Sequence, residues 1–321
     1  MKSPNRILPT LMAGCLLLAA AARAETEADK FFERGNDFVA RNSLPRAKTE
    51  YEKALKANPR HLNALYNLAV VCEKLGQKDQ AISNYRRYLE LRPSDPDAWT
   101  QLGVLLDEKG DADGAQDAYR KAITIDPRFG RAHHNLGVLL SEQGRFDAAR
   151  HHLETFVQLE EQAGRQTGEA YYSLGVLELR QGHIKEAKQA LQKALDIHPS
   201  VPFFNNAMGD ALLADGNPSM ALAYYQKAIE KDPRCAPAYS GLGDAYRALD
   251  RRDKAAEAYR KALEIRGDYP VVHYKLGLLF ETADPARAIK HFEDYLNSGK
   301  KLEFQKEAVG RLEKLKQAQQ P

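Results

Sequence analysis

The sequence predicts an all-α protein: eight helical hairpins in a row, closed by a capping helix. Three observations predict it. Large and small residues recur with a 34-residue period, interrupted once, in copies beginning near 28, 62, 96, 130, 168, 202, 236 and 270. Within each copy the apolar residues follow the i, i+3, i+4, i+7 spacing of a helix face, twice over. A glycine in the middle and a proline near the end of most copies punctuate the two helices.

The copy from Pro96 to Phe129 shows the pattern in full. Counted from Pro96 as position 1, large residues stand at 4, 7 and 11 (Trp99, Leu102, Leu106) and small ones at 8, 20 and 27 (Gly103, Ala115, Ala122). Tyr119 stands at 24 and Pro127 at 32. Small residues let two helix backbones approach, and the bulky ones fill the space beside the crossing. Gly110, at position 15, suits the left-handed residue that ends a helix. Pro127 has no N–H with which to continue the second helix. These residues at these offsets resemble the tetratricopeptide repeat. The resemblance implies a right-handed α-solenoid that holds a protein or peptide partner in its concave groove, with no catalytic residue and no cofactor.

The chain opens with Lys2 and Arg6, an uncharged run from Ile7 to Ala22, and Ala22-Arg23-Ala24 before Glu25. This reads as a secretory signal peptide, residues 1–24, cleaved after Ala24, and places the mature protein in the periplasm or outside the cell. Met12-Ala13-Gly14-Cys15 offers a second reading, because it resembles the lipobox of bacterial lipoproteins, with anchorage through Cys15. Leu16-Leu17-Leu18 and the alanines after it prolong the apolar run where a lipoprotein turns polar, which ranks this reading below cleavage. An uncleaved anchor ranks third, since the run falls short of the ~20 residues of a spanning helix. Removing Lys2, Arg6 and Arg23 takes the formal charge from +3 to zero. The precursor's basic balance is therefore no argument for a nucleic-acid partner. No membrane insertion is expected after cleavage.

The array is assigned to residues 25–301. Its first copy (Phe31, Phe38, Ala47, Tyr51, Ala54, Pro59) carries Arg34 at position 7, as suits a terminal repeat with one face in water. The second keeps Leu65, Leu68, Ala69, Gly76, Ala81, Tyr85 and Pro93, with Cys72 at core position 11. In the fourth, Glu161 replaces the proline and Gly164 to Thr167 are extra, so its second helix is expected to run on by about a turn and protrude. The fifth (Tyr171, Leu174, Gly175, Gly182, Leu191, Pro199) and sixth (Met208, Gly209, Gly216, Tyr225, Pro233) are regular. Gly267 replaces the proline of the seventh (Tyr239, Leu242, Gly243, Tyr259). The eighth (His273, Leu276, Gly277, Phe280, Ala288, Phe292) loses one residue near Asp284. From Leu302 to Gln317, within the closing segment 302–321, Phe304, Ala308, Leu312 and Leu315 make one apolar stripe, the pattern of a capping helix.

No phosphate-cradling glycine loop, paired-cysteine metal motif or nucleophile elbow occurs. The histidines His133, His134, His151 and His152 invite a metal reading. Neighbouring helical residues do not share a face, so His133 is expected to pack in the hairpin and the others to meet solvent, with no metal. Cys72 and Cys235 belong to distant copies and are expected to stay unbridged.

The resemblance implies that partners lie along positions 2, 5, 6, 9, 12 and 13 of the first helices. Position 9 reads Val70, Val104, Val138 and Val176, then Asp210 and Asp244. Position 6 reads Asn67, Gln101, Asn135 and Ser173, and position 5 offers Tyr66, His134 and Tyr172. An apolar stripe flanked by amides suits an extended peptide or a helix in repeats two to five, leaving six to eight for another contact. The amides have a rival role in bonds within the array, and the valines in packing between hairpins. Family members that grip a chaperone's C-terminal carboxylate carry Lys and Asn at 5 and 9, Asn at 6 of the next repeat, and basic residues at 2 and 6 of the third. Here Tyr66 and Val70, Gln101, and Arg131 and Asn135 stand there, so an Hsp70 or Hsp90 tail is not the expected partner. The resemblance leaves two functions: an assembly adaptor of the cell envelope, or a targeting subunit that presents substrates to an enzyme such as a glycosyltransferase.

The mature chain is expected to start at Glu25 without lipid. Intact-mass measurement on protein from its native envelope checks this, and a diacylated start at Cys15 would overturn it.

Overall fold

The computed structural model describes residues 26–165, 167–299 and 303–318. The expected signal peptide, Cys15 and Leu302 lie outside the described residues. Among the described residues every regular element is a helix, and none is long and apolar enough to cross a membrane. The chain divides between Phe156 and Val157 into two compact units.

The first unit contains α1 (26–40), α2 (Leu44–Ala57), α3 (Leu62–Lys74), α4 (Lys78–Leu91), α5 (Pro96–Glu108), α6 (Ala112–Ile125), α7 (Gly130–Glu142) and most of α8 (Phe146–Gln162). The second contains the end of α8, then α9 (Gly168–Arg180), α10 (Ile184–Ile197), α11 (Pro202–Ala214), α12 (Pro218–Lys231), α13 (Ala236–Ala248), α14 (Arg252–Ile265), α15 (Pro270–Phe280), α16 (Pro285–Leu296) and α17 (Gln305–Ala318). Successive helices pair into the eight expected hairpins, with α17 left over. Within each unit the second helix of one hairpin packs on the first helix of the next.

Inside a hairpin the crossing is fixed by position 8 against position 24. A Cβ added to Gly103 would stand 2.5 Å from the ring of Tyr119, which is itself 1% exposed. The glycine makes room for a ring as much as for a backbone. The second hairpin carries Ala69 opposite the buried Tyr85, so one methyl fits once the ring shifts.

Between hairpins the contact falls on positions 3 and 10, which the apolar stripes did not single out. In every hairpin from the second onward both positions are buried, as at Ala64 and Val71, Ala98 and Leu105, or Ala238 and Ala245. In the first hairpin they are Lys30 and Asp37, both exposed. Those two charges, as much as Arg34, give it a water-facing side. Position 4 differs from expectation in the other direction in the first, third and fifth copies, where Phe31, Trp99 and Tyr171 are only half-buried. Trp99 is half-buried at the hairpin's rim, its ring under the Lys121 ammonium at 4.3 Å. The same lid recurs as Lys53 over Phe31 and Lys193 over Tyr171.

The turns follow the sequence closely. Gly110 has φ +81°, as its turn requires. Where glycine is missing from position 15, Asn42 (φ 54°) and Asp250 (φ 52°) take the left-handed conformation, the residues best able to replace it. Helices α4, α6, α10 and α12 end two residues before a proline, because the residue preceding proline is pushed out of the helical region. Without proline, α8 runs for 17 residues against 14 in α6, and its last residues are exposed, as expected for the fourth copy. Helix α14 also lacks the proline yet stops on time at Ile265, with Arg266 extended before Gly267.

Helix α17 caps the last hairpin. Ala308 is buried with Tyr274, Phe292 and Tyr295, and Phe304, Leu312 and Leu315 pack on that cluster. The Phe304 ring stacks on Tyr274 with centroids 4.7 Å apart, and its N–H donates to the Tyr295 hydroxyl at 2.8 Å. Cys72 is buried and Cys235 half-buried, and both are free thiols.

Leu102→Ala and Tyr119→Ala should each destabilise the fold by about 2–5 kcal/mol. Gly110→Ala should cost only about 1–2 kcal/mol, from backbone conformation alone, since nothing lies near its added Cβ. Denaturant melts separate the two classes, and a Tyr119→Ala melt that overlays the parent would mean that the register is wrong.

Candidate partner-binding face

In the first unit the first helices present a continuous register. Asn36, Val39 and Ala40 of α1 line one cleft of about 290 Å³ together with Asn67, Val70 and Lys74 of α3. These are positions 9, 12 and 13 of one copy and 6, 9 and 13 of the next, most of the set expected to meet a partner. Val104 on α5 is half-exposed at the same register as Val70, and Val138 on α7 is 36% exposed.

Position 6 reaches back to position 9 of the preceding hairpin, and this decides which amides are free. Asn67 Nδ2 donates to Asn36 Oδ1 at 3.1 Å, and the Tyr51 hydroxyl donates to the same oxygen at 2.7 Å. Asn67 is therefore used inside the array. Behind Gln101 stands Val70, and behind Asn135 stands Val104, neither of which can accept. Both amides are half-buried and make no hydrogen bond to a described residue. The same contact recurs in the second unit, where Lys275 Nζ donates to Asp244 Oδ2 at 2.5 Å and to Ser240 Oγ at 2.9 Å.

The rings at position 5 are engaged. Tyr66 meets Tyr88 with centroids 5.3 Å apart, and its hydroxyl donates to Asp97 Oδ2 at 2.5 Å. Arg131 donates to the other Asp97 oxygen at 2.8 Å. Burial, then the bond to Asp97, pushes the Tyr66 phenol well above its usual range. His134 lies on Phe156 at 4.8 Å. Tyr88 and Phe156 occupy position 27, where most copies have alanine, and that substitution is the sequence signal that position 5 would be covered.

In the second unit Tyr172 stacks on Phe204 at 5.2 Å and meets the edge of Phe203 at 5.0 Å. Burial, then the charge of Asp210, raises its pKa. Val176 packs against the core around Phe204 and Met208. Asp210 and Asp244, the acids that end the valine run, accept the hydroxyls of Tyr225 and Tyr259 at 2.7 and 2.6 Å. Their change from valine has an internal reason.

The expectation that His134, His151 and His152 meet solvent holds for the exposed His151 and fails for the other two, His134 being half-buried against Phe156. His152 is half-buried, and its Nδ1 lies 3.0 Å from Nδ1 of His133, because positions 4 and 23 face each other across the hairpin. His133 Nε2 sits 3.2 Å from the Pro127 carbonyl, an acceptor only, so that nitrogen holds the proton. His133 Nδ1 then accepts from His152. The pair is a neutral hydrogen-bonded dyad without a carboxylate. Side chains with metal-ligand chemistry meet instead in the last hairpin, at His273, His291 and Asp294.

The tetratricopeptide repeat profiles match residues 32–96, 73–128 and 206–270, and a second of the same description matches 129–200. The chain belongs to the tetratricopeptide repeat family. No curated protein matches the sequence. Among solved structures, a tetratricopeptide repeat protein from Parabacteroides merdae is 19% identical with TM-score 0.68, over 79% of this chain and 99% of that one. The APC/C hetero-tetramer Cut9-Hcn1 is 20% identical with TM-score 0.66, over 88% of this chain, which spans only 54% of that relative. The Pseudomonas aeruginosa pilF structure is 25% identical with TM-score 0.55, over 64% and 92%. These likenesses carry the fold. Repeats of this family generally serve as non-catalytic interaction modules that bind proteins or peptides.

Burial lowers the pKa of His133 and takes that of His152 down to about 4, in the second case with help from the His133 charge. Folded pKa values below the unfolded value mean that the unfolded chain binds more protons as pH falls from about 6.5 to 4. Stability from the dyad is complete above that window and lost through it. Thermal melts across the window should show the fall, and His152→Gln should reduce it. An equal fall in the variant would mean that the dyad does not titrate this way.

Proposed function

We propose that this chain is a non-catalytic scaffold of the cell envelope that holds an extended peptide or a partner helix along the first helices of repeats two to four. One observation carries the reading: Gln101 and Asn135, half-buried and unbonded, stand beside the half-exposed valines Val70, Val104 and Val138. A half-buried amide without a partner keeps its donor and acceptor for a ligand backbone, and a run of valines takes alternate apolar side chains or one face of a helix. Tyr66, Asn67 and His134 border that strip and hold it in shape through Asp97, Asn36 and Phe156. Tyr172 and Val176, packed in the second unit, are left out of the contact. The envelope location rests on the basic, apolar and small-residue segments of residues 1–24.

Replacing both Val104 and Val138 with Asp puts two charges on the strip and should abolish capture of the partner from envelope extract while helical content stays intact. A folded double variant that captures the same protein at the parental level would place the contact elsewhere. Recovery of assembly components supports the adaptor reading, whereas a glycosyltransferase would move this chain to the role of a targeting subunit.

A further inference from the structure

We propose that the last hairpin binds one divalent transition-metal ion, zinc by its ligand chemistry, between His273 of α15 and His291 and Asp294 of α16. His273 Nδ1 lies 3.3 Å from His291 Nδ1 and 3.5 Å from Asp294 Oδ2, and the three ligand atoms fall within 4.8 Å of one another. Two ligands each about 2.0–2.1 Å from a tetrahedral zinc stand roughly 3.3 Å apart. The two separations from His273 Nδ1 stand at or close to that value. Two histidines and a carboxylate make a three-ligand set that leaves a fourth position for water or a partner's side chain.

The register shows that this cluster departs from what the hairpin needs. In the first, third and fifth copies the position-4 side chain is aromatic and the position-26 side chain is a lysine lying over it. In the eighth, position 4 is His273, position 26 is Asp294 and position 23 is His291. A cation over a ring has become a carboxylate beside two imidazoles. The fourth copy supplies an internal control, with His133 and His152 at the same two positions but Thr155 at 26. There the rings close to 3.0 Å in an N–H···N bond, and Thr155 turns its hydroxyl to the His151 carbonyl at 2.8 Å.

The scaffold holds the ligands in place. His291 and Asp294, three residues apart, share one face of α16. Phe280 of α15 lies nearly parallel to the His291 ring, with centroids 5.9 Å apart. The core beneath, Tyr274, Phe292 and Tyr295, is the cluster that α17 covers. His273 and Asp294 side chains remain 21% and 42% exposed, which leaves an entry path. Burial is the first cause lowering the pKa of both imidazoles; the Lys290 charge, and for His291 those of His273 and Arg287, act in the same direction, and Asp294 acts against it.

Metal-free mature protein without a polyhistidine tag, titrated with zinc chloride by calorimetry and with cobalt(II) by visible absorption, tests the proposal. The parent should bind one ion per chain, with a cobalt spectrum of low coordination number. His291→Gln and Asp294→Asn should each weaken binding tenfold or more, and His152→Gln should leave it unchanged. Asp294 is half-exposed, so Asp294→Asn retains the fold, and circular dichroism confirms it for each variant. Zinc should also raise the melting temperature of the parent but not of Asp294→Asn. A parent that binds no zinc, parental affinity in both eighth-copy variants, or loss of binding in His152→Gln instead would overturn it.

Discussion

Everything in this protein depends on a missing methyl group. At position 8 of most hairpins the absent Cβ leaves room for the ring or isobutyl group at position 24, and that contact sets how closely the two helices cross. Tyr119 is 1% exposed because Gly103 has no side chain. A hairpin closed in this way still has a bare flank. Positions 3 and 10 cover it against the second helix of the hairpin before, and the burial of Ala98 and Leu105 completes what Gly103 and Tyr119 begin. The hydrophobic effect supplies the driving force, but the small residues decide the geometry into which it is spent.

What the sequence made legible is what depends on spacing along one chain segment. The eight hairpins, the left-handed turn at Gly110, the overrun of α8 and the cap formed by Phe304, Ala308, Leu312 and Leu315 all follow from offsets within a single copy. Positions 3 and 10 were harder to see, because alanine, at position 3 of most copies, and a mixture of valine, leucine and alanine at position 10 do not stand out from an apolar helix. The histidine contacts were missed for a different reason. Adjacent helical residues diverge, which correctly separates His133 from His134, but the argument says nothing of the other helix, and there position 23 lies opposite position 4.

The partner-binding face was half legible. Its register could be read, since positions 9, 12 and 13 of one copy and 6 and 9 of the next line one cleft. The fate of each amide could not be read from its own copy. Asn67 is consumed because Asn36 stands behind it, whereas Gln101 and Asn135 have valines behind them. Tyr66 and His134, at position 5, were likewise covered by rings at position 27 that stand where alanine is usual. In both cases the deciding residue lies outside the stretch being read, in the neighbouring helix or the preceding hairpin.

The polar ties between hairpins bear on how such a chain can evolve. Where neighbours meet only through alanine and leucine at positions 3 and 10, duplicating or deleting one whole hairpin reproduces the same joint, and gene-level copying meets little resistance. Asp97 breaks that interchangeability. It takes the Tyr66 hydroxyl from the hairpin before and the Arg131 guanidinium from the hairpin after. Excising the third hairpin would bring Tyr66 and Arg131 together with no acid between them, and duplicating it would leave each copy's carboxylate with one partner in place of two. The serial order of the second, third and fourth hairpins is thus written into their side chains, and lineages that vary in length should gain or lose hairpins elsewhere.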